Sequence, residues 1–285
     1  MSENKNQDYI EAFGAVASAP DIRDYKLAAS TIASSKALPE EFELSMPHIK
    51  NQGSVGSCVA HALSTIVEFF NSVNHNIDEQ MSVGYIYGNR DNSSYKGEGM
   101  ILRDAIAAVC GDGNVPYVKF PYNEEVPGII DKFNSHKEGL TDLAEKSHFA
   151  SYFKVATEAE IKTALSNRIP IAFSIAWHKD IKVKDGVITT SQQKQSGYHC
   201  MVLYGWDKRG WKIQNSWGSL WGKGGRAILP YTYNIQEAYG IIDDPNSSLT
   251  LERPFKAKTA FGKWLVRVIN KLYGLFYRLK CSFSK

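Results

Sequence analysis

The 285-residue sequence predicts an α+β fold, with helices in its first half and strands in its second. Three observations predict it. The stretch "NQGSVGSCVAHALSTIVEFF" (51–70) repeats apolar residues at three- and four-residue steps (Val59, Leu63, Ile66, Val67, Phe70), the period of a helix with one buried face. From Pro170 onward, "PIAFSIAW" (170–177), "YHCMVLYGWD" (198–207), "GWKIQNSW" (210–217) and "GRAILPYTY" (225–233) are β-branched or aromatic runs bounded by glycines, the texture of strands. Helical texture before strand texture implies two subdomains with a cleft between them.

Taken in order, the chain divides into a leader (1–38), a catalytic-type domain (39–245) and a tail (246–285). The leader is polar and Ala/Ser-rich, punctuated by Pro20 and Pro39, and is expected to lack a core of its own. Residues 41–108 are mostly helical in pattern. Within them "MILRDAIAAVC" (100–110) puts Ile101, Ala105 and Ala108 on one face and stops at Gly111. A loop-rich stretch with Pro116, Pro121 and Pro127 follows, then a short helix over 157–167 opened by a Thr157/Glu160 capping box. From Arg253 the tail has nine Lys or Arg and no acid, with Phe261, Leu265, Val268, Leu272, Phe276 and Leu279 on one helical face.

Composition narrows the function. An apolar content of 43% and a charged content of 22% describe a globular protein, and a net charge of +3 is too small to argue for nucleic acid. The N-terminus lacks the cationic start and continuous apolar core of a signal peptide, and no run of eighteen apolar residues spans a membrane. Cys58, Cys110, Cys200 and Cys281 are spaced for neither a metal nor a disulfide framework, which suggests a reducing compartment or at least a fold that does not rely on disulfides.

The chemistry centres on Cys58. A cysteine at the join of a Gly/Ser turn and a helix meets unpaired N–H groups and the positive end of the dipole, which favour a thiolate. Such a nucleophile needs an oriented base and donors for an oxyanion. His61, one turn along the same helix, is read as a packing residue, and His48, His75, His136, His148 and His178 lack a telling polar partner. His199 differs, because Asn215 follows it by 16 residues. A strand, a turn over 207–210 and a return strand would join the two side chains, so that Asn215 fixes the ring nitrogen facing the thiol.

These stretches together resemble the papain-like cysteine peptidases. "NQGSVGSC" resembles that family's glutamine-to-cysteine loop, "GYHCMVLYGW" its histidine strand and "WKIQNSWGSLWGKGGR" its asparagine–serine–tryptophan segment, with His199 standing 141 residues after Cys58. "APDIRDYKL", "GEGMILRDAI" and "SHFASYFKVATEAEIKTALSNRIPIAFSI" are similar to bacterial and viral branches, so the resemblance covers roughly residues 20–240. It implies a helical left half carrying Cys58 and a barrel-like right half carrying His199 and Asn215. It also implies cysteine-type endopeptidase activity on a polypeptide substrate through an acyl-enzyme. Cys58 would be the nucleophile, His199 its imidazolium partner, Asn215 the orienting residue and Trp217 the shield. Gln52 and the Cys58 N–H would form the oxyanion hole, and Gly99 in "KGEGM" would hold the substrate strand. No cofactor or metal is implied.

Two departures stand out: Val55 replaces a cysteine usually paired in a disulfide, and Val59 replaces an aromatic residue. Two alternatives stay open, a thiol acyltransferase, ligase or isopeptidase on the same site, and a non-catalytic binding module retaining the fold. Papain-like enzymes are usually made as zymogens, so "DIRDYKL" (21–27) is expected to lie along or near the site, or else to be a surface arm. The tail reads either as a helix packed on the domain or as one lying on an anionic membrane surface, with Cys281 open to acylation.

Overall fold

A computed structural model describes residues 13–21, 24–28, 38–91, 93, 97–122, 128–178, 180–190, 197–243 and, for the backbone alone, 251–252. The first half contains β1 (Ala15–Val16), β2 (Lys26–Leu27), β3 (Phe42–Glu43), α1 (Cys58–His75), α2 (Val83–Gly88), β4 (Met100–Ile101), α3 (Leu102–Asp112) and α4 (Ile129–Ala144). The second contains β5 (Ser151–Lys154), α5 (Glu158–Ser166), β6 (Ile171–Trp177), β7 (Val183–Lys184) and β8 (Val187–Ile188). It continues with β9 (Gly197–Asp207), β10 (Gly210–Gln214), β11 (Arg226–Pro230), β12 (Ile235–Ile242) and β13 (Leu251–Glu252).

The helix at the cysteine forms, but its surroundings differ from a one-faced pattern. Every residue from Cys58 to Asn71 is buried, because α1 lies between β9 and the other helices. Its polar side chains are therefore bonded internally. Ser64 donates to Met81 O, Thr65 to His61 O, and Glu68 takes both Lys50 Nζ and the Met81 N–H. Asn76, left-handed at φ 55°, ends the helix by donating to Asn71 O.

Two expectations need correction here. The helix expected over 100–110 runs Leu102–Asp112 and buries Leu102, Ala105, Ile106 and Val109, since Met100 and Ile101 are drawn into strand β4. It stops at Gly113 rather than Gly111, and a Cβ at Gly113 would lie 2.0 Å from Ala144 O. The stretch read as loop-rich holds α4, whose first turn packs Ile129 and Phe133 inward. By contrast, α5 opens with the expected capping box: the Glu160 N–H bonds Thr157 Oγ1 and the Thr157 N–H bonds Glu160 Oε2.

The second half is a largely antiparallel sheet in the order β13-β2-β5-β12-β6-β9-β10-β11-β8-β7. Long β9, buried from His199 to Asp207, is its spine, paired with β6 and β10 along its length and with β3 and β1 at its ends. Strands β5 and β12 went unread in the sequence. Gly240 in β12 passes a phenylalanine ring so closely that a Cβ there would lie 2.4 Å from Phe153.

The leader contributes two strands to this core instead of building one of its own. β2 pairs with β5 and with β13, and Leu27 and Ala28 are buried. β1 inserts between β4 and β9, parallel to the first and antiparallel to the second. Among the described leader residues, Gly14 makes a backbone hydrogen bond to Cys58, whereas Lys26 and Leu27 pair with β5 and β13. The amphipathic tail segment 261–280 and Cys281 lie outside the described residues.

Candidate active site

Helix α1 and strand β9 meet at Cys58. The Cys200 N–H reaches Cys58 Sγ at 3.4 Å, a contact that joins the two halves of the fold. Cys200 neighbours His199, so the alternation of the strand sends one side chain to each face. Across the β9–β10 hairpin, His199 Nε2 lies 2.7 Å from Asn215 Oδ1, and the same oxygen accepts the Ser216 N–H at 2.8 Å. An acceptor held by a backbone donor can only receive a proton from the ring. Nε2 therefore carries the hydrogen, and Nδ1, which makes no other bond, keeps its lone pair.

Aromatic rings enclose that imidazole. Trp217 stacks on it at 4.4 Å and 21°, and Trp177 meets it edge-on at 5.4 Å. Trp221 closes the cluster against both tryptophans. Gln52 is wholly buried. Its Oε1 accepts the Ser216 hydroxyl at 2.6 Å and its Nε2 donates to Val55 O at 2.9 Å. The Gln52 N–H also donates to Ser216 O, so the loop before Cys58 is stitched to the segment that carries Asn215.

Gly99 stands across from this loop with φ +109°, and a Cβ there would lie 2.8 Å from Gly14 O of the leader. Met100 N–H donates to Gly14 O at 2.8 Å, and a backbone hydrogen bond from Gly14 reaches Cys58. The fit is close: a Cβ on Gly14 would sit 1.8 Å from Gly56 O, and one on Gly197 2.9 Å from Phe13 Cβ. Farther along, the Ser18 N–H donates to Glu237 Oε1, Arg103 Nη2 donates to Ala19 O, and Arg103 Nε pairs with Asp24 at 3.0 Å. Cys58 and His199 are both at 0% exposure.

Burial sets the charge state. It pushes the Cys58 thiol up to about 11, against backbone hydrogen bonds from Cys200 and Gly14 that favour the thiolate. It pulls His199 down to about 4, opposed by the Asn215 bond. Desolvation here opposes the helix N-terminus effect expected from the sequence, and favours the neutral thiol and the neutral imidazole while the site is covered.

Of the residues singled out in the sequence, His199, Asn215 and Trp217 touch one another, Gln52 bonds Ser216, Cys58 meets the Cys200 N–H, and Gly14 stands between Cys58 and Gly99. Sequence spacing did not reveal Trp177, Ser216 or the leader residues 13–16, whose roles arise from packing across the fold. His61 is buried beneath Tyr122, with Nδ1 against Ser57 O, and is lowered to about 4 chiefly by burial. Cys110 is pushed up to about 12 by burial. Cys58, Cys110 and Cys200 are free thiols. Among the described residues no cluster of His, Cys, Asp or Glu could hold a metal ion, and no helix is long and apolar enough to cross a membrane.

The model of the papain family cysteine proteases matches residues 38–246, most of the chain. The chain belongs to the papain family. It is accordingly a thiol hydrolase, a cysteine-type endopeptidase of papain-like α+β fold. Among its relatives is an uncharacterized peptidase C1-like protein of Acanthamoeba polyphaga mimivirus, 26% identical in an alignment 216 residues long that covers 68% of this chain and 69% of that protein. A viral cathepsin of Adoxophyes honmai nucleopolyhedrovirus is 25% identical over 66% of this chain and 56% of its own length. Xylellain, a cysteine protease from Xylella fastidiosa, superposes with a TM-score of 0.70 at 25% identity, covering 82% of this chain and 97% of that one. Digestive procathepsin L 3 of Tenebrio molitor shares the fold, with a TM-score of 0.60 at 17% identity over 78% of this chain and 76% of that one.

Proposed function

We propose that this papain-family enzyme cleaves polypeptides with Cys58 as nucleophile and His199 as its base and later acid, and that its leader keeps it latent. The observation carrying the first part is the hydrogen bond from His199 Nε2–H to Asn215, which leaves Nδ1 as the ring's acceptor one residue from Cys200, whose N–H meets the thiol. Once the groove is open to water, the cost of charging falls, and a proton passes from Sγ to Nδ1. The thiolate attacks the scissile carbonyl. Its oxyanion is stabilised by the Cys58 N–H and by Gln52, whose Nε2 is within reach of Val55 O until substrate arrives. The imidazolium then protonates the leaving amine, and water attacks the thioester to regenerate Cys58. Trp217 keeps water from the His199–Asn215 bond.

Latency is supported by the way the leader sits. It brings an N–H of Gly14 to the nucleophile, and the Gly14 carbonyl is bound to Met100 N–H instead of the oxyanion donors. A chain held in this way blocks the groove and is not itself attacked there. The tail segment 261–280, by its cationic and aromatic sequence, would hold the enzyme on an anionic membrane.

The test is alkylation of the full chain by an epoxide-type active-site probe, with peptide turnover measured in parallel. Cys58→Ala should lose both labelling and turnover, and His199→Ala should lose turnover. Asn215→Ala and Gln52→Ala should reduce turnover by about 10²–10³-fold. Near wild-type turnover in Cys58→Ala would sink the assignment. Salt-sensitive sedimentation with phosphatidylserine vesicles, lost when the chain ends near Leu251, tests the membrane reading.

A further inference from the structure

One buried side chain stands between the base and the oxyanion donor and belongs to neither. Ser216 follows Asn215 in the turn after β10. Its N–H donates to Asn215 Oδ1 at 2.8 Å, the oxygen that also holds His199 Nε2. Its carbonyl accepts the Gln52 N–H at 2.8 Å, and its hydroxyl lies 2.6 Å from Gln52 Oε1. The first contact serves the base, and the other two serve the loop before Cys58.

The carboxamide of Gln52 has one workable orientation in this setting. Its other end faces Val55 O at 2.9 Å, and a carbonyl oxygen can only accept. Nitrogen therefore faces Val55 and oxygen faces Ser216, so the serine hydroxyl donates. Gln52 is wholly buried, which shields this short bond from competing water. An oxyanion donor is effective when it is in place before charge develops, because it then needs no reorganisation as the substrate reacts.

We infer that Ser216 is a positioning residue whose hydroxyl holds the Gln52 carboxamide in place for the oxyanion, and that it acts on acyl transfer through Gln52. The inference rests on the peptidase reading of the site. Ser216→Ala removes the hydroxyl but neither of the backbone groups that bond Asn215 and Gln52. The His199–Asn215 pair then keeps its support, while the carboxamide loses the donor that fixes its oxygen end. Formation of the thiolate and stabilisation of the oxyanion are thereby separable.

The test compares two reactions of Cys58 in the full chain, peptide cleavage and alkylation by iodoacetamide. Alkylation forms a C–S bond as iodide leaves, so it reports the thiolate and raises no oxyanion, whereas cleavage passes through one. Label is counted where it is absent from Cys58→Ala. Both reactions draw on the same uncovered fraction of enzyme, so leader occupancy cancels from the ratio of kcat/KM to alkylation rate. In Ser216→Ala that ratio should fall about tenfold, with the pH profile of alkylation unchanged. In a Gln52→Ala background, adding Ser216→Ala should change the ratio by less than about twofold. A ratio in Ser216→Ala within about twofold of wild type overturns the inference. So does a parallel loss of both reactions, or a shifted alkylation profile, either of which puts the effect on His199 or on the fold. A tenfold fall that persists without Gln52 overturns it as well. Each of these outcomes leaves the peptidase reading standing. No cleavage of any peptide by the wild type overturns that reading, and this inference with it.

Discussion

Gly14 is the residue on which the covered state turns. Nothing flexible surrounds it: the atoms that a Cβ would strike at 1.8 and 2.1 Å are the Gly56 carbonyl oxygen and carbon, both backbone. Gly14→Ala should therefore unseat the leader without touching the catalytic groups, and peptide turnover by the full chain should rise by about tenfold or more. Equal rates would mean that the leader leaves readily and restrains nothing. At this scale the catalytic-type residues were legible because each belongs to a short local pattern: glutamine before cysteine, histidine within a strand, asparagine before tryptophan. Gly14 was not. Its significance lies in its contact with Gly56, which is 56 − 14 = 42 residues away, and one sequence records no such contact.

The elements show a similar division. Strands β6, β9, β10 and β11 were visible as β-branched and aromatic runs, but β4 and α4 were not. β4 exists because the leader pairs with it, and α4 buries only Ile129, Phe133 and Ala144, too few positions to form a stripe. Helix α1 was legible as a helix, yet its burial on all sides was concealed by polar residues that find partners inside. Glu68 is the clearest case. It pairs with Lys50 at 2.5 Å, both side chains 4% exposed, and so ties α1 to the loop two residues before Gln52. Burial lowers Lys50, and Glu68 opposes that shift. Removing one partner of such a pair leaves the other charged and buried. Glu68→Gln should lower unfolding stability by about 3 kcal/mol in denaturant titration, with a parallel loss of turnover as the Gln52 loop loosens. A change under about 0.5 kcal/mol would show that the pair does not hold the loop.

At the scale of the whole molecule, burial of the nucleophile and base couples the leader to pH. Under the leader His199 titrates at about 4, whereas a solvated imidazole titrates near 6.5. A depressed histidine stabilises the covered state fully above pH 6.5, and that contribution is lost as pH falls toward 4. Cys58 gives the opposite limb. Its thiol is raised to about 11 from an ordinary 9, so the covered state is favoured below pH 9 and weakened as pH climbs beyond it. The groups packed on the imidazole are Asn215, Trp177 and Trp217, none of which titrates in the acid range, but His61 feels the charge on His199 and is likewise lowered to about 4 by burial, so a His199 substitution is needed to separate the two. The full acid effect is about 3 kcal/mol, enough to shift a leader that is mostly seated to one that is mostly displaced. Hydrogen-exchange protection factors for the amides of residues 15 and 16, measured in Cys58→Ala to prevent self-cleavage, should be level at neutral and alkaline pH, the thiol limb being gone, and fall steadily below about 6.5. His199→Gln, which cannot take up a proton, should flatten that fall. Protection that ignores pH, or an acid limb that survives in His199→Gln, would separate leader release from the charging of the catalytic pair.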